Sequence, residues 1–237
     1  MKVADVYHIF QCADKASSPK KELSVTTSDS LDELSWWRRA EPTDEELYFS
    51  GGLMVEDWPH ARQVRRLSTQ LFEATQPLHA LDIRAQHQLE RAALLHNTGM
   101  LVESRRHHKH SFRLIKETPL PDFTDEERYE IACIARYHRR ALPSSDHEEF
   151  AALSRRARKR VSALAALLRI ADALDFNHDS RVLRLVVEPE LSDQRVWTLL
   201  LWVRPLADLD EELEHAYAKA DLFEKVFKRK LRFLIQD

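Results

Sequence analysis

Apolar residues recur three and four positions apart over most of the chain, and that spacing predicts helices. The first long one starts at Pro59, whose missing N–H costs nothing in a first turn, and carries Val64, Leu67, Leu71 and Phe72 until Pro77 ends it. A second, roughly Asp82 to Asn97, buries Leu89, Ala92 and Leu95 and is stopped by Gly99. A third carries Phe112, Leu114 and Ile115, and a fourth Tyr129, Ile131, Ile134 and Ala135. Thr43 and Thr124, each followed by acidic residues, have the pattern of reciprocal N-terminal caps, and Gly51-Gly52 closes the short helix after Thr43. The stretch from about Phe150 to Leu174 reads as one long helix, apolar nearly all round in its second half, and therefore central and buried.

The pattern changes after Ser180. Val182 to Val187 and Val196 to Val203 read as two strands joined around Pro189 to Gln194. From Asp208 helical spacing returns through Leu213, Tyr217, Leu222, Phe223, Val226, Phe227 and Leu231. Before the first helices, Val3, Val6 and Ile9 and a polar tract from Ser17 to Ser30 read as a loosely attached arm, followed by a helix bearing Leu31, Leu34, Trp36 and Trp37. The expected organisation is an arm over 1–46, a helical domain over 47–178 and a small α+β appendage over 179–237. The fold class is mainly α. The appendage offers few convergent polar groups, so a structural or regulatory role is expected of it.

Composition narrows the function classes. Hydrophobic residues make up 43% of 237, enough for a sizeable core, and acids and bases nearly cancel to a net charge of -3. Global charge therefore nominates neither nucleic acid nor a membrane surface, and the basic block Arg155 to Arg160 lies on a helix that also belongs to the core. Cys12 and Cys133, with no apolar N-terminal run, point to a cytoplasmic setting without structural disulfides. Only three glycines occur, poor material for phosphate-cradling loops. A homodimer is compatible with the sequence but not encoded in any motif.

Candidate chemistry sits at helix ends. His96 and Asn97 follow an apolar helix, and two readings stand: a core histidine with an asparagine C-cap, or an imidazole and a carbonyl oxygen offered to a metal or phosphate. His60 opens an earlier helix. Asp172 falls in the apolar half of the central helix, where a carboxylate is costly unless paired. Arg169, one turn earlier, is one partner for it, and a cation is the other. Arg105 to His110 is a run of basic or titratable side chains, solvated or turned toward a phosphate, and His138 and Arg139 stand at another helix C-terminus.

His60, His96-Asn97 and Asp172 together resemble the H…HD…D signature of the HD-domain metal-dependent phosphohydrolases. The segments ALLHNTG, HHKHSFRLI, IARYHRR and LLRIADALDFNH resemble, in order, the C-terminal region of the exopolyphosphatase/guanosine pentaphosphate phosphatase family, over roughly Leu47 to the end. The resemblance implies an HD-like helical bundle in which His60, His96, Asn97 and Asp172 hold one divalent metal ion (Mn, Mg, Ni or Fe). It implies catalytic roles for His110, His138 and Arg169, with Arg106, Lys109 and Arg139 on the phosphoryl oxygens. The substrate would be a nucleotide, polyphosphate or another phosphoester; the alternative is a non-catalytic module binding polyphosphate or guanosine nucleotides. Two departures matter. No glycine-rich loops of the family's actin-like catalytic domains occur here, so that site is not carried over. Asn97 replaces an aspartate, and a neutral amide bridges two metal ions poorly.

Overall fold

The structure, a computed structural model, describes residues 40–236, all belonging to one compact unit. The expected N-terminal arm up to residue 39, with its tryptophan helix, lies outside the described residues.

Capping chemistry sets the helices where the sequence places it. Thr43 and Glu46 exchange side-chain and backbone hydrogen bonds at the start of α1 (Asp44–Phe49), and Thr124 and Glu127 do the same for α6 (Asp125–Arg136). Gly51 and Gly52, both at positive φ, turn the chain out of α1. In α2 (Trp58–Ala74) Asp57 caps the His60 N–H at 3.0 Å, and Pro59 sits in the first turn. Thr75 closes that helix, and Pro77 belongs to a separate short helix, α3 (Gln76–His79). Asp82 caps α4 (Ile83–Leu95), whose C-cap is His96. A 3₁₀ turn (Thr98–Leu101) then leads toward α5 (His107–Glu117).

Gly99 does not stop α4; it lies inside the 3₁₀ turn, where it allows close packing. A Cβ there would stand 2.2 Å from the His107 carbonyl oxygen and 2.5 Å from the Ser111 nitrogen. The expected helix from Phe150 onward is two. Ser154 leaves helical geometry and caps Ala157 N at 3.2 Å, separating α7 (Glu148–Ala151) from α8 (Arg155–Ala173). Among apolar neighbours a local side-chain cap decided the break, which periodicity cannot reveal.

α8 is the axis of the molecule. From Val161 to Leu174 its apolar side chains are buried, packed against α2, α4 and α6 and also against α9 (Asp210–Lys219) and α10 (Asp221–Phe227). Each fully buried Leu or Ile contributes about 1.5–3 kcal/mol over an exposed one, so this helix carries much of the fold's stability.

The expected strands form as β1 (Val182–Val187) and β2 (Val196–Val203), antiparallel, with an irregularity between Val182 and Arg184. The helical reading of Leu231 is corrected: Lys228, at φ 57, ends α10, and the chain runs out as β3 (Lys230–Gln236), parallel to β2. Leu231 and Phe233 are buried while Lys230 and Arg232 are exposed, a period of two masked in the sequence by the helix before it. The outer edge of β1 is held by α2: Gln63 and Arg66 donate to the Val182 and Leu183 carbonyls, and Leu185 N donates to Gln70. Among the described residues no helix is long and apolar enough to cross a membrane.

Candidate metal centre

Three helix ends meet around one point. His60 comes from the first turn of α2, His96 from the end of α4, and Asp172 from the last turn of α8; one donor atom of each lies within 4.8 Å of the others. The Asp172 Oδ1 is 3.5 Å from His60 Nε2 and 3.3 Å from His96 Nε2. Each imidazole is oriented from behind. His96 Nδ1 lies 2.7 Å from the Ala93 carbonyl, and His60 Nδ1 lies 2.8 Å from Asp175 Oδ2. Asp175 is itself fixed by the Ser180 N–H at 2.8 Å. With Nδ1 engaged, Nε2 of each ring is aimed at the common point.

That point is electrically unfinished. His60 Nε2, His96 Nε2 and Asn97 Oδ1 are buried atoms with no hydrogen-bond partner. Burial pushes the His96 imidazolium down, so a neutral ring presents a lone pair to a carboxylate. Burial also opposes charge on His60, but Asp172 and Asp175 outweigh it and raise the ring to about 9. Burial likewise opposes ionisation of Asp172, yet Lys219 and the two imidazoles hold its carboxyl well below the usual range. Two imidazole nitrogens and a carboxylate oxygen gathered at one spot fit a divalent cation of borderline softness. Without one, a proton on His60 serves the same electrostatic need.

The cavity beside this cluster has a volume of about 320 Å³ and is lined by Asn97, His107, His138, Arg139, Asp172 and Lys219, with Phe176, His178 and His215 among its walls. His138 and His107 add a second pair of lone-pair nitrogens. Their Nδ1 atoms face backbone carbonyls, Ala135 O at 2.6 Å and Ser104 O at 2.8 Å, and their Nε2 atoms face each other at 3.1 Å. Burial holds His138 well below its ordinary range and His107 down to about 4, so both rings are neutral near pH 7. The Arg139 guanidinium stands 3.3 Å from His107 Nδ1.

Of the residues expected here, His60, His96, Asn97, Asp172, His138 and Arg139 come together. The others go elsewhere. His110 and Arg106 both bond Glu103, at 3.2 Å each, and Arg106 and Lys109 line a different cleft with His108 and Arg140. Arg169 does not pair with Asp172. Its guanidinium reaches Asp221 Oδ1 at 3.1 Å and the Tyr137 carbonyl at 3.3 Å, tying α6 to α10, and Lys219 of α9 takes Asp172 instead, Nζ to Oδ2 at 2.5 Å. The appendage expected to stand apart from the chemistry thus supplies Lys219 and His215 to the cavity.

Sequence reasoning assigned no role to five contributors. His107 carried a signal: counting back in fours from buried Ile115 gives Ser111 and then His107, one stripe of α5. Ser111 donates to His96 O at 2.7 Å and accepts from Gly99 N at 2.9 Å, which locks the turn behind the imidazole. Asp175 and Lys219 carried none, since their roles depend on tertiary placement. His178 stacks on His60 with centroids 3.6 Å apart and holds Asp57 through Nδ1 at 2.8 Å; its position past the central helix gave no hint of this.

Comparison with known proteins converges on one family. A guanosine-5'-triphosphate,3'-diphosphate pyrophosphatase of Pseudoalteromonas atlantica is 26% identical over 163 residues, which are 66% of this chain and 31% of that protein. The protein of the same name from Pseudoalteromonas translucida is 34% identical over 95 residues, 40% of this chain and 18% of its own length. The chain therefore spans a third or less of these curated relatives. The family pattern for Ppx/GppA phosphatase, domain III, matches residues 54–215, from before His60 to the cavity residue His215. The chain belongs to the Ppx/GppA phosphatase domain III family.

Proposed function

We propose that the His60–His96–Asp172 centre is a single-metal, HD-type phosphohydrolase site acting on a nucleotide or another phosphoester. The observation that carries this reading is the convergence of two oriented imidazole Nε2 atoms upon Asp172, beside a cavity that Asn97 also lines. His60, His96 and Asp172 would hold the ion, with Asn97 as a neutral fourth ligand. A divalent ion there would supply Lewis acidity toward a phosphoryl oxygen and make water more acidic.

The remaining residues divide the work by charge. Lys219 and Arg139 face the same cavity and balance negative charge on a bound phosphoryl group, Arg139 by its planar donor pair and Lys219 as a point charge. His138 and His107, both neutral and facing each other through Nε2 at 3.1 Å, can accept a proton from an attacking water. Phe176, His178 and His215 wall the mouth and restrict bulk water. The relatives are named for a guanosine polyphosphate, and a substrate of that phosphorylated class suits the cavity's cations. Hydrolysis of bis-p-nitrophenyl phosphate with Mn²⁺ tests the reading. Turnover is expected in the wild type, lost in His96→Ala and raised in Asn97→Asp, which restores an anionic ligand; no turnover in either the wild type or Asn97→Asp would overturn it.

One observation favours a second reading, a non-catalytic module that binds polyphosphate or a guanosine nucleotide. Lys219 already supplies a positive charge 2.5 Å from Asp172. On that reading ligand affinity is indifferent to chelators, whereas on the first it falls with metal removal.

A further inference from the structure

A second cavity, of about 330 Å³, lies along α4 away from the histidine centre, between the stripe Arg84, His87, Arg91 and Leu94 and the rings of Phe49 and Phe123. Its charges are not balanced in the way buried charges usually are. Arg84 is neutralised by two bonds of 2.6 Å to Glu127. Arg91 is not. It is only 8% exposed, and among the described residues it forms no ion pair. Its guanidinium donates to the Phe49 carbonyl and sits between the two rings, 4.7 Å from the centroid of Phe49 and 5.0 Å from that of Phe123.

Arg65, half-buried on α2, also lies over Phe49, at 5.9 Å, and lacks an ion pair among the described residues. Two acids, Glu90 and Asp122, also line the wall, but neither forms an ion pair with Arg91 or Arg65. Glu90 is engaged by Thr69 and Gln86, at 3.0 and 3.1 Å, and Asp122 stands beyond ion-pair distance of Arg91. Stacking a cation on an aromatic face returns about 0.5–2 kcal/mol, less than the several kcal/mol needed to strip an ion of water. Burial accordingly pushes the Arg91 guanidinium down to about 10.

We propose that this cavity is a second ligand site, taking a phosphate monoester with a planar or apolar body of mononucleotide or sugar-phosphate size. Two guanidiniums without ion pairs, Arg65 and Arg91, line one small space, and a phosphate monoester offers them several charged acceptor oxygens for bidentate bonds. Phe49, Phe123 and Leu94 bound an apolar space for the rest of the molecule, and the volume lies at the lower end of small-ligand pockets. The site is independent of any metal at His60 and His96.

Isothermal titration of the full chain with AMP, ribose 5-phosphate and adenosine tests it. Saturable binding of AMP or ribose 5-phosphate below about 1 mM is expected, with none for adenosine. Tighter AMP binding would assign the apolar wall to a base, and equal affinity would assign it to a sugar phosphate. Arg91→Ala removes a bond that holds α1, and its loss of binding alone could reflect misfolding. Arg65→Glu carries the test: binding should weaken at least about tenfold at an unchanged melting temperature, while His96→Ala leaves it intact. Absence of saturable binding, binding undiminished by Arg65→Glu, or binding lost in His96→Ala would overturn the proposal.

Discussion

Two buried polar clusters start from the same turn of α2 and were finished differently. Arg62 meets Glu46 through Nε and Nη2 at 2.6 and 2.7 Å and the Glu41 carbonyl at 2.7 Å, while Glu46 also accepts from Thr43 N at 2.8 Å. Two residues earlier, His60 faces a different situation: its Nε2 and that of His96 stand 3.5 and 3.3 Å from the Asp172 carboxylate, and neither completes a hydrogen bond. A closed cluster pins elements together. One left open at a three-helix junction is what the proposed cation would complete.

The comparison breaks most visibly at the closed cluster. Arg62→Leu strands the buried Glu46 carboxylate and should cost about 3–5 kcal/mol in urea unfolding; a cost below 1 kcal/mol would show that α1 is not anchored this way. At the open cluster the largest stability effect should come from the turn that presents the ligands. Gly99→Ala places a methyl against the backbone of α5, and about 1–3 kcal/mol of destabilisation is expected, with divalent-ion uptake weakened alongside. An unchanged melting temperature would mean that the turn can shift and that His96 is less fixed than its hydrogen bonds suggest.

Removing the competing cation sharpens the contrast. Lys219→Met leaves Asp172 without its ammonium partner, and Mn²⁺ affinity measured by titration should rise about tenfold, a gain of about 1.4 kcal/mol. Unaltered affinity would separate Lys219 from the metal. The smallest effect is expected at the exposed rim. The Arg84 guanidinium, through its hydrogen bonds, holds the Glu127 carboxyl down to about 2. A depressed folded value stabilises above the ordinary 4.5 and is lost as pH falls through about 2. The wild type should therefore lose, on going from pH 5 to 2.5, a stability increment that Arg84→Met never had, amounting to under about 1 kcal/mol. Equal acid sensitivity of the two proteins would remove that pair from the stability of α6.

What the chain disclosed in advance follows the same division. Elements whose determinants are local were readable: the capping boxes at Thr43 and Thr124, the Pro59 start, the apolar second half of α8, and the apolar runs of β1 and β2. The break at Ser154 and the strand at Leu231 were not, because each is decided by one residue, a capping hydroxyl and a left-handed Lys228, inside a stretch whose apolar spacing still fits a helix. At the site, the trio His60, His96 and Asp172 that the structure brings together was singled out through its resemblance to the H…HD…D pattern. Its partners were not, since Asp175, Lys219 and His178 acquire their roles only when distant segments meet. Arg169 shows the converse. An i to i+3 pair looked sufficient for Asp172, but the guanidinium reaches farther, to carbonyls of α6 and to Asp221.

The account rests on His60, His96 and Asp172 forming a place for a cation, and isothermal titration of the metal-free protein with Mn²⁺ at pH 7.5 tests that most directly. One ion per chain is predicted for the wild type, with uptake abolished in Asp172→Ala while that variant keeps its helical circular dichroism. Uptake unaffected by Asp172→Ala, or no heat of binding in either protein, would contradict it.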